Sequence, residues 1–214
     1  NRRNRVILLH GEAGIGKSRL LNEFVGYIAS QGATVLRSRI APGERSPLLP
    51  VTSALRPFVR QRLLAGLPPA SLAILSRLFP RIRKWPGDLP EVQRLAPKGE
   101  QNRLYTALEA LISLIPGERK LFVIDDAHRI GEAACELLNH LSNAIQVLLS
   151  YRSEEAPPGH PIQTVLSTGS AELQIEPLTS GAVRTLIERL SRRAHPDFIE
   201  RSEEHTSELQ SLLI

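Results

Sequence analysis

The chain has 214 residues and 42% of them are hydrophobic, enough for one large domain with a full core, or for one domain and part of another. No run approaches the roughly 18 uninterrupted apolar residues of a membrane-spanning helix and no secretory apolar segment is legible, so the expected place is the cytoplasm. The single cysteine, Cys135, excludes an internal disulfide, which fits a reducing compartment; it falls in a helical pattern as a small buried apolar residue. The net charge of +5 is concentrated in Arg56, Arg60, Arg62, Arg77, Arg81, Arg83 and Lys84. With only 4% aromatic residues and no DNA-reading motif, a solvated basic face is favoured over a nucleic-acid groove.

In chain order, Arg5–Leu9 is a predicted strand centred on Val6-Ile-Leu-Leu9. It runs into Gly11-Glu12-Ala13-Gly14-Ile15-Gly16-Lys17-Ser18, which fits the phosphate-cradling pattern Gly-x-x-x-x-Gly-Lys-Ser/Thr. A helix over Lys17–Ser30 follows, with Leu20, Leu21, Phe24, Val25 and Ile28 on one face. Strand, loop and helix are the context that this pattern needs. The glycines let backbone N–H groups converge on an anion, and the helix start adds free N–H groups and the positive end of its dipole. Lys17 is expected to reach the β and γ phosphates, and the Ser18 hydroxyl to hold Mg²⁺. Gly11 through Arg19 are therefore the candidate nucleotide-binding residues.

Gln31-Gly32 closes that helix, and Ala33–Ile40 is a second predicted strand. A Pro-rich connection leads to residues 51–79, which carry two helical patterns split at Gly66-Leu-Pro-Pro69. Residues 80–99, around Trp85, are expected to be a long irregular insertion with freedom to move. Helical spacing returns over Glu100–Ile115 and stops at Pro116-Gly117. Lys120–Asp125 is a predicted buried strand, Glu132–Leu141 a helix, and Ala144–Tyr151 another strand. A surface loop over 153–161, a short strand Glu172–Glu176 and an amphipathic helix Ser180–Arg193 complete the pattern. Strands alternating with helices imply an α/β sandwich with a parallel sheet covered on both faces.

Leu121-Phe-Val-Ile-Asp-Asp126 is the second informative stretch: an apolar strand ending in acids, the Walker B pattern. The chemistry calls for a carboxylate at the carboxyl end of a central strand, facing the phosphate loop across bound Mg²⁺. Asp125 is the candidate magnesium residue and Asp126 the candidate for orienting the attacking water. Asp is one methylene shorter than the Glu common at that place, which predicts slow hydrolysis. Arg152, at the end of the strand over 144–151, is a candidate contact for the γ-phosphate. His128 is expected to pack in the turn after the acids.

Five stretches carry a family resemblance: Leu9 to Leu21 through the phosphate loop, Pro47-Leu-Leu-Pro50 with Ala54-Leu-Arg56, Arg103 to Leu108, Val123-Ile-Asp-Asp-Ala-His128, and Leu148-Leu-Ser-Tyr-Arg152. On these the chain resembles the ATP-binding domain of the STAND class of P-loop ATPases, within the AAA+-related lineage. More narrowly it is similar to the modules of large LuxR-type (MalT-like) transcriptional regulators. The resemblance implies a P-loop NTPase three-layer sandwich with a five-stranded parallel sheet, binding ATP and Mg²⁺. It also implies a nucleotide-gated switch that self-associates or meets lid and output domains not seen here, touching DNA only through such a domain. One departure is Arg129-Ile-Gly131, where the family often has Trp-Ala-Asp.

The expected domain is residues 1–200, with 51–100 as a helical, Pro-rich insertion. The absence of methionine and the opening on Asn1 suggest a fragment. Arg201 to Ser211 resembles a translated sequencing adapter, so 201–214 is taken as a non-native tail. The leading function is an ATP-binding, slowly hydrolysing switch module of a multidomain regulator. The alternatives are a metabolic P-loop kinase or transferase, and a nucleic-acid-dependent AAA+ ATPase.

Overall fold

The structure, a computed structural model, describes residues 5–41, 43, 47–166 and 170–190; the tail at 201–214 lies outside the described residues. Five strands, β1 (Val6–Gly11), β2 (Thr34–Arg39), β3 (Lys120–Asp125), β4 (Gln146–Arg152) and β5 (Ala171–Gln174), form one sheet in the order β2-β3-β4-β1-β5. Every pairing is parallel. All carboxyl ends therefore lie along one edge, where α/β proteins build their sites.

Alternation along the strands sends side chains to both faces. On one face Leu9, Leu121, Val123 and Leu148 pack with Leu21 of α1 (Lys17–Ser30). On the other, Leu8, Leu36, Phe122, Ile124, Val147 and Leu149 join a much larger cluster. That cluster draws on α2 (Leu49–Leu55), α3 (Gln61–Leu64), α4 (Pro69–Leu75), α5 (Pro97–Leu114), α6 (Glu132–Leu141) and α7 (Ile162–Leu166). The chain is thus an α/β sandwich with helices on both faces of a five-stranded parallel sheet, as expected. A last helix, α8 (Ser180–Leu190), begins after β5 and buries Val183.

The helix Lys17–Ser30 and the strand Lys120–Asp125 fall where the periodicity puts them, and so does the helix Glu132–Leu141. One feature differs. The short helix α7 sits in a stretch too brief to stand out by periodicity. The stretch after residue 80 is irregular as expected beyond a 3₁₀ turn over Pro80–Lys84, and it meets the core at several points. Phe79 and Ile82 are buried, Trp85, Leu89 and Val92 pack against the main core, and Arg103 donates to the Gln93 carbonyl at 2.7 Å. These apolar residues recur every three or four positions, but Pro86 and Pro90 keep a continuous helix from forming over them.

Candidate functional site

The phosphate loop leaves the sheet at Gly11, buried between β4 and β5. A Cβ added there would lie 2.7 Å from the Ile175 carbonyl, so only glycine fits without moving backbone. Gly14 and Gly16 take positive φ of 74° and 101°, and Gly16 caps α1. The loop thus ends on the N-terminus of a helix, where N–H groups and dipole favour an anion.

Lys17 is buried and donates to the carbonyls of Gly11 at 2.8 Å and Glu12 at 2.5 Å. Burial pushes its ammonium below the ordinary lysine value; the charge of Glu154 opposes that shift and the charge of Arg152 adds to it. Ser18 is half-buried at the first turn of α1, and Arg19 pairs with Glu23 at 3.2 Å on the exposed side. Glu12 and Ala13 are exposed and Ile15 is buried.

The sheet brings the other candidates to the same edge. β4 lies between β1 and β3, and its register sets Arg152 beside Gly11. The Arg152 guanidinium pairs with Glu155 at 2.6 Å. Asp125 ends β3, 2% exposed; its Oδ1 accepts from the Ser150 hydroxyl of β4 and from the Asp126 N–H at 3.1 Å. Asp126 takes the left-handed conformation with φ 57°, alone in this among the described non-glycine residues. Asp tolerates that region better than most residues, and strained backbone gathers at functional sites. The twist turns its carboxylate toward Arg39 of β2, whose Nε donates to Oδ2 at 2.9 Å. His128 is packed in the turn as expected; its Nε2 lies 3.1 Å from Glu155 Oε2, close enough for ion pairing but outside hydrogen-bond geometry. Burial holds His128 below the ordinary histidine pKa, against the pull of Glu155, so it is neutral at pH 7.

A sequence model of the AAA ATPase domain matches residues 1–153, which take in both the glycine loop and the paired acids. The chain belongs to the AAA ATPase family. Among solved structures, a crystal structure of a DNA replication initiation factor is similar at TM-score 0.51 and 14% identity, over 96% of this chain and 51% of that one. A chain of the Drosophila ORC bound to AT-rich DNA and Cdc6 follows at TM-score 0.44 and 14% identity, over 97% and 69% of the two chains. One of the Drosophila ORC bound to DNA gives 0.42 and 15%, over 83% and 85%. At such identities the likeness concerns the fold, and this AAA ATPase domain spans about half the length of the initiation factor. No curated protein sequence matches it.

The residues of this AAA ATPase domain fit a nucleotide. The cradle at Gly11 has no room for a side chain, and Lys17 holds a buried ammonium against loop carbonyls that a phosphate can replace. Among the described residues, no group of three or more His, Cys, Asp or Glu could hold a metal by itself. Mg²⁺ is held by one or two protein oxygens together with phosphates and water. Ser18 and Asp125 are the protein oxygens at hand.

Sequence reasoning missed Arg39, Ser150 and Glu154. Each is a polar residue within two positions of the carboxyl end of a strand, and that common position was the available signal. What it could not supply was the strand order that makes them neighbours.

Proposed function

We propose that this chain is the Mg-ATP-binding, slowly hydrolysing switch module of a larger cytoplasmic signalling or transcriptional regulator of the STAND class, similar to the LuxR-type modules. The observation that supports this most is the convergence of the phosphate loop, Asp125, Asp126 and Arg152 on three adjacent strands of one parallel sheet. In this reading Gly11 to Arg19 hold the phosphates, with Lys17 at the β and γ positions. Ser18 and Asp125 hold Mg²⁺, which neutralises charge on the phosphate oxygens. Asp126 orients water and Arg152 meets the γ-phosphate. The short Asp126 side chain, engaged with Arg39, makes turnover slow. ATP and ADP forms then differ in how this domain self-associates or meets further domains.

Calorimetric titration with Mg-ATP tests the site. Lys17→Ala should weaken binding at least about 100-fold, the scale of a lost charge-assisted phosphate contact. Affinity equal to the parent protein rejects the assignment. Transfer of phosphate to small hydroxyl acceptors in place of water would favour a metabolic kinase or transferase.

One observation favours a nucleic-acid-dependent ATPase as the second reading. Arg81, Arg83 and Lys84 are exposed together on the 3₁₀ turn and form no ion pair with the described residues. DNA that leaves both ATP turnover and binding unchanged at low salt removes this reading.

A further inference from the structure

The loop after β4 folds back over the nucleotide site, and three consecutive residues touch three different parts of it. The Ser153 hydroxyl lies 3.1 Å from His10 Nδ1 at the end of β1. Glu154 Oε1 accepts the Ala13 N–H of the phosphate loop at 2.8 Å. Glu155 pairs with Arg152 and approaches His128 of the turn after Asp125. The middle contact is the informative one. A carboxylate accepting a phosphate-loop N–H does there what a phosphate oxygen would do.

The position of the contact matters. Ala13 is in the first half of the loop, away from the helix start at Gly16–Ser18. Lys17, reaching back to the Gly11 and Glu12 carbonyls, brings its ammonium to the same first half. Glu154 is the strongest of the charges acting on that ammonium. A diphosphate seated on the helix start would leave the Ala13 contact intact. A third phosphate extending toward Lys17 would meet a carboxylate of like charge already using the same donor.

Resting on the nucleotide-binding reading above, we propose that Glu154 is a built-in competitor for the terminal phosphate and sets how strongly this site discriminates nucleoside triphosphate from diphosphate. Triphosphate displaces the carboxylate; diphosphate does not. Because Ser153 and Glu155 flank it, the displacement is felt at His10, Arg152 and His128 together. The triphosphate form therefore differs from the diphosphate form along the whole loop after β4.

The experiment titrates Mg-ATP and Mg-ADP into the full chain, its Glu154→Gln variant and its Glu154→Asp variant, by calorimetry. Glu154 is exposed, so both variants should keep the fold. Glu154→Gln should raise ATP affinity about fivefold while ADP affinity moves less than about twofold, since removing a charge–charge conflict affects only the ligand that meets it. Glu154→Asp keeps the charge but is one methylene too short for the 2.8 Å contact, so it should gain ATP affinity too, by less than Gln, because the Ala13 donor is freed while the like charge stays. Equal gains for ATP and ADP, or no ATP gain, overturn the proposal. So does an Asp variant that behaves like the parent while Gln gains, which would assign the effect to net charge and not to the contact. Failure of the nucleotide reading itself shows up elsewhere, as a parent protein that does not bind Mg-ATP or binds it no better than Lys17→Ala, and it takes this inference with it.

Discussion

Replacing Arg39 by alanine should speed hydrolysis at little cost in stability. Arg39 Nε donates to Asp126 Oδ2 at 2.9 Å, with the arginine side chain 67% exposed and the aspartate 13% exposed. Fully buried, such a pair would dominate the local electrostatics; with one partner mostly in water, solvent screening discounts it to about 0.5–1 kcal/mol. If Asp126 orients the water, as proposed above, it must leave that contact to do so, and the same energy stands in the path of turnover. Removing it should raise the single-turnover rate of Mg-ATP hydrolysis about two- to fivefold. Chemical denaturation should report a loss of no more than about 1 kcal/mol. Rapid-quench measurement with enzyme in excess isolates the chemical step from product release. An unchanged or slower rate would refute the reasoning, because Arg39 would then help the reaction. A loss well above 2 kcal/mol would mean that the pair is a structural strut.

Three further outcomes follow from the same geometry. Asp125→Asn keeps an acceptor for the Ser150 hydroxyl and the Asp126 N–H, so the melting temperature should hold while the gain in ATP affinity on adding Mg²⁺ shrinks about tenfold; an intact Mg²⁺ effect, measured against EDTA, excludes Asp125 as a metal residue. Gly11→Ala forces a Cβ to within 2.7 Å of the Ile175 carbonyl and should destabilise by about 1–3 kcal/mol, a drop in melting temperature of several degrees; a wild-type melt would show that β5 yields freely. His128, whose pKa burial lowers from 6.5, resists a proton that the unfolded chain accepts. Stability from this group is present above 6.5 and is lost as pH falls through the lowered value, so His128→Asn should flatten the melting-temperature profile on the acid side of neutrality. A slope equal to that of the parent protein counts against it.

The elements of the site were legible where a short-range rule governs. A glycine loop opening a helix is written in consecutive residues, and an apolar run that ends in two acids announces a strand tip. Strand alternation with helices implied the parallel sheet, and the structure has it. The insertion of β4 between β1 and β3 is a long-range pairing, and no local pattern announces it. Glu154 at Ala13 depends on β4 lying beside β1, and Arg39 at Asp126 on β2 lying beside β3. In the sequence, Ser153-Glu-Glu155 looked like a solvated loop because the partners of Ser153 and Glu154 lie more than a hundred residues away, the separation of Ala13 and Glu154 being 141. The core contacts of residues 79–92 were hidden for another reason: Phe79, Ile82, Trp85, Leu89 and Val92 recur every three or four residues, but Pro86, Gly87 and Pro90 between them read as an irregular loop, although all five meet the same core.

That shared core limits how the chain can be cut or rebuilt. Val51, Leu55, Val59, Leu64, Leu75, Phe79 and Ile82 belong to one buried cluster with Leu36 and Phe122 of the sheet. Excising residues 49–96 to obtain a minimal nucleotide-binding unit would bare that sheet face to water, and at about 1.5–3 kcal/mol for each large apolar side chain the loss exceeds the total stability of most domains. The segment is one wall of the folding unit, so protein engineering that aims for a smaller nucleotide carrier has to redesign a replacement wall before it can trim.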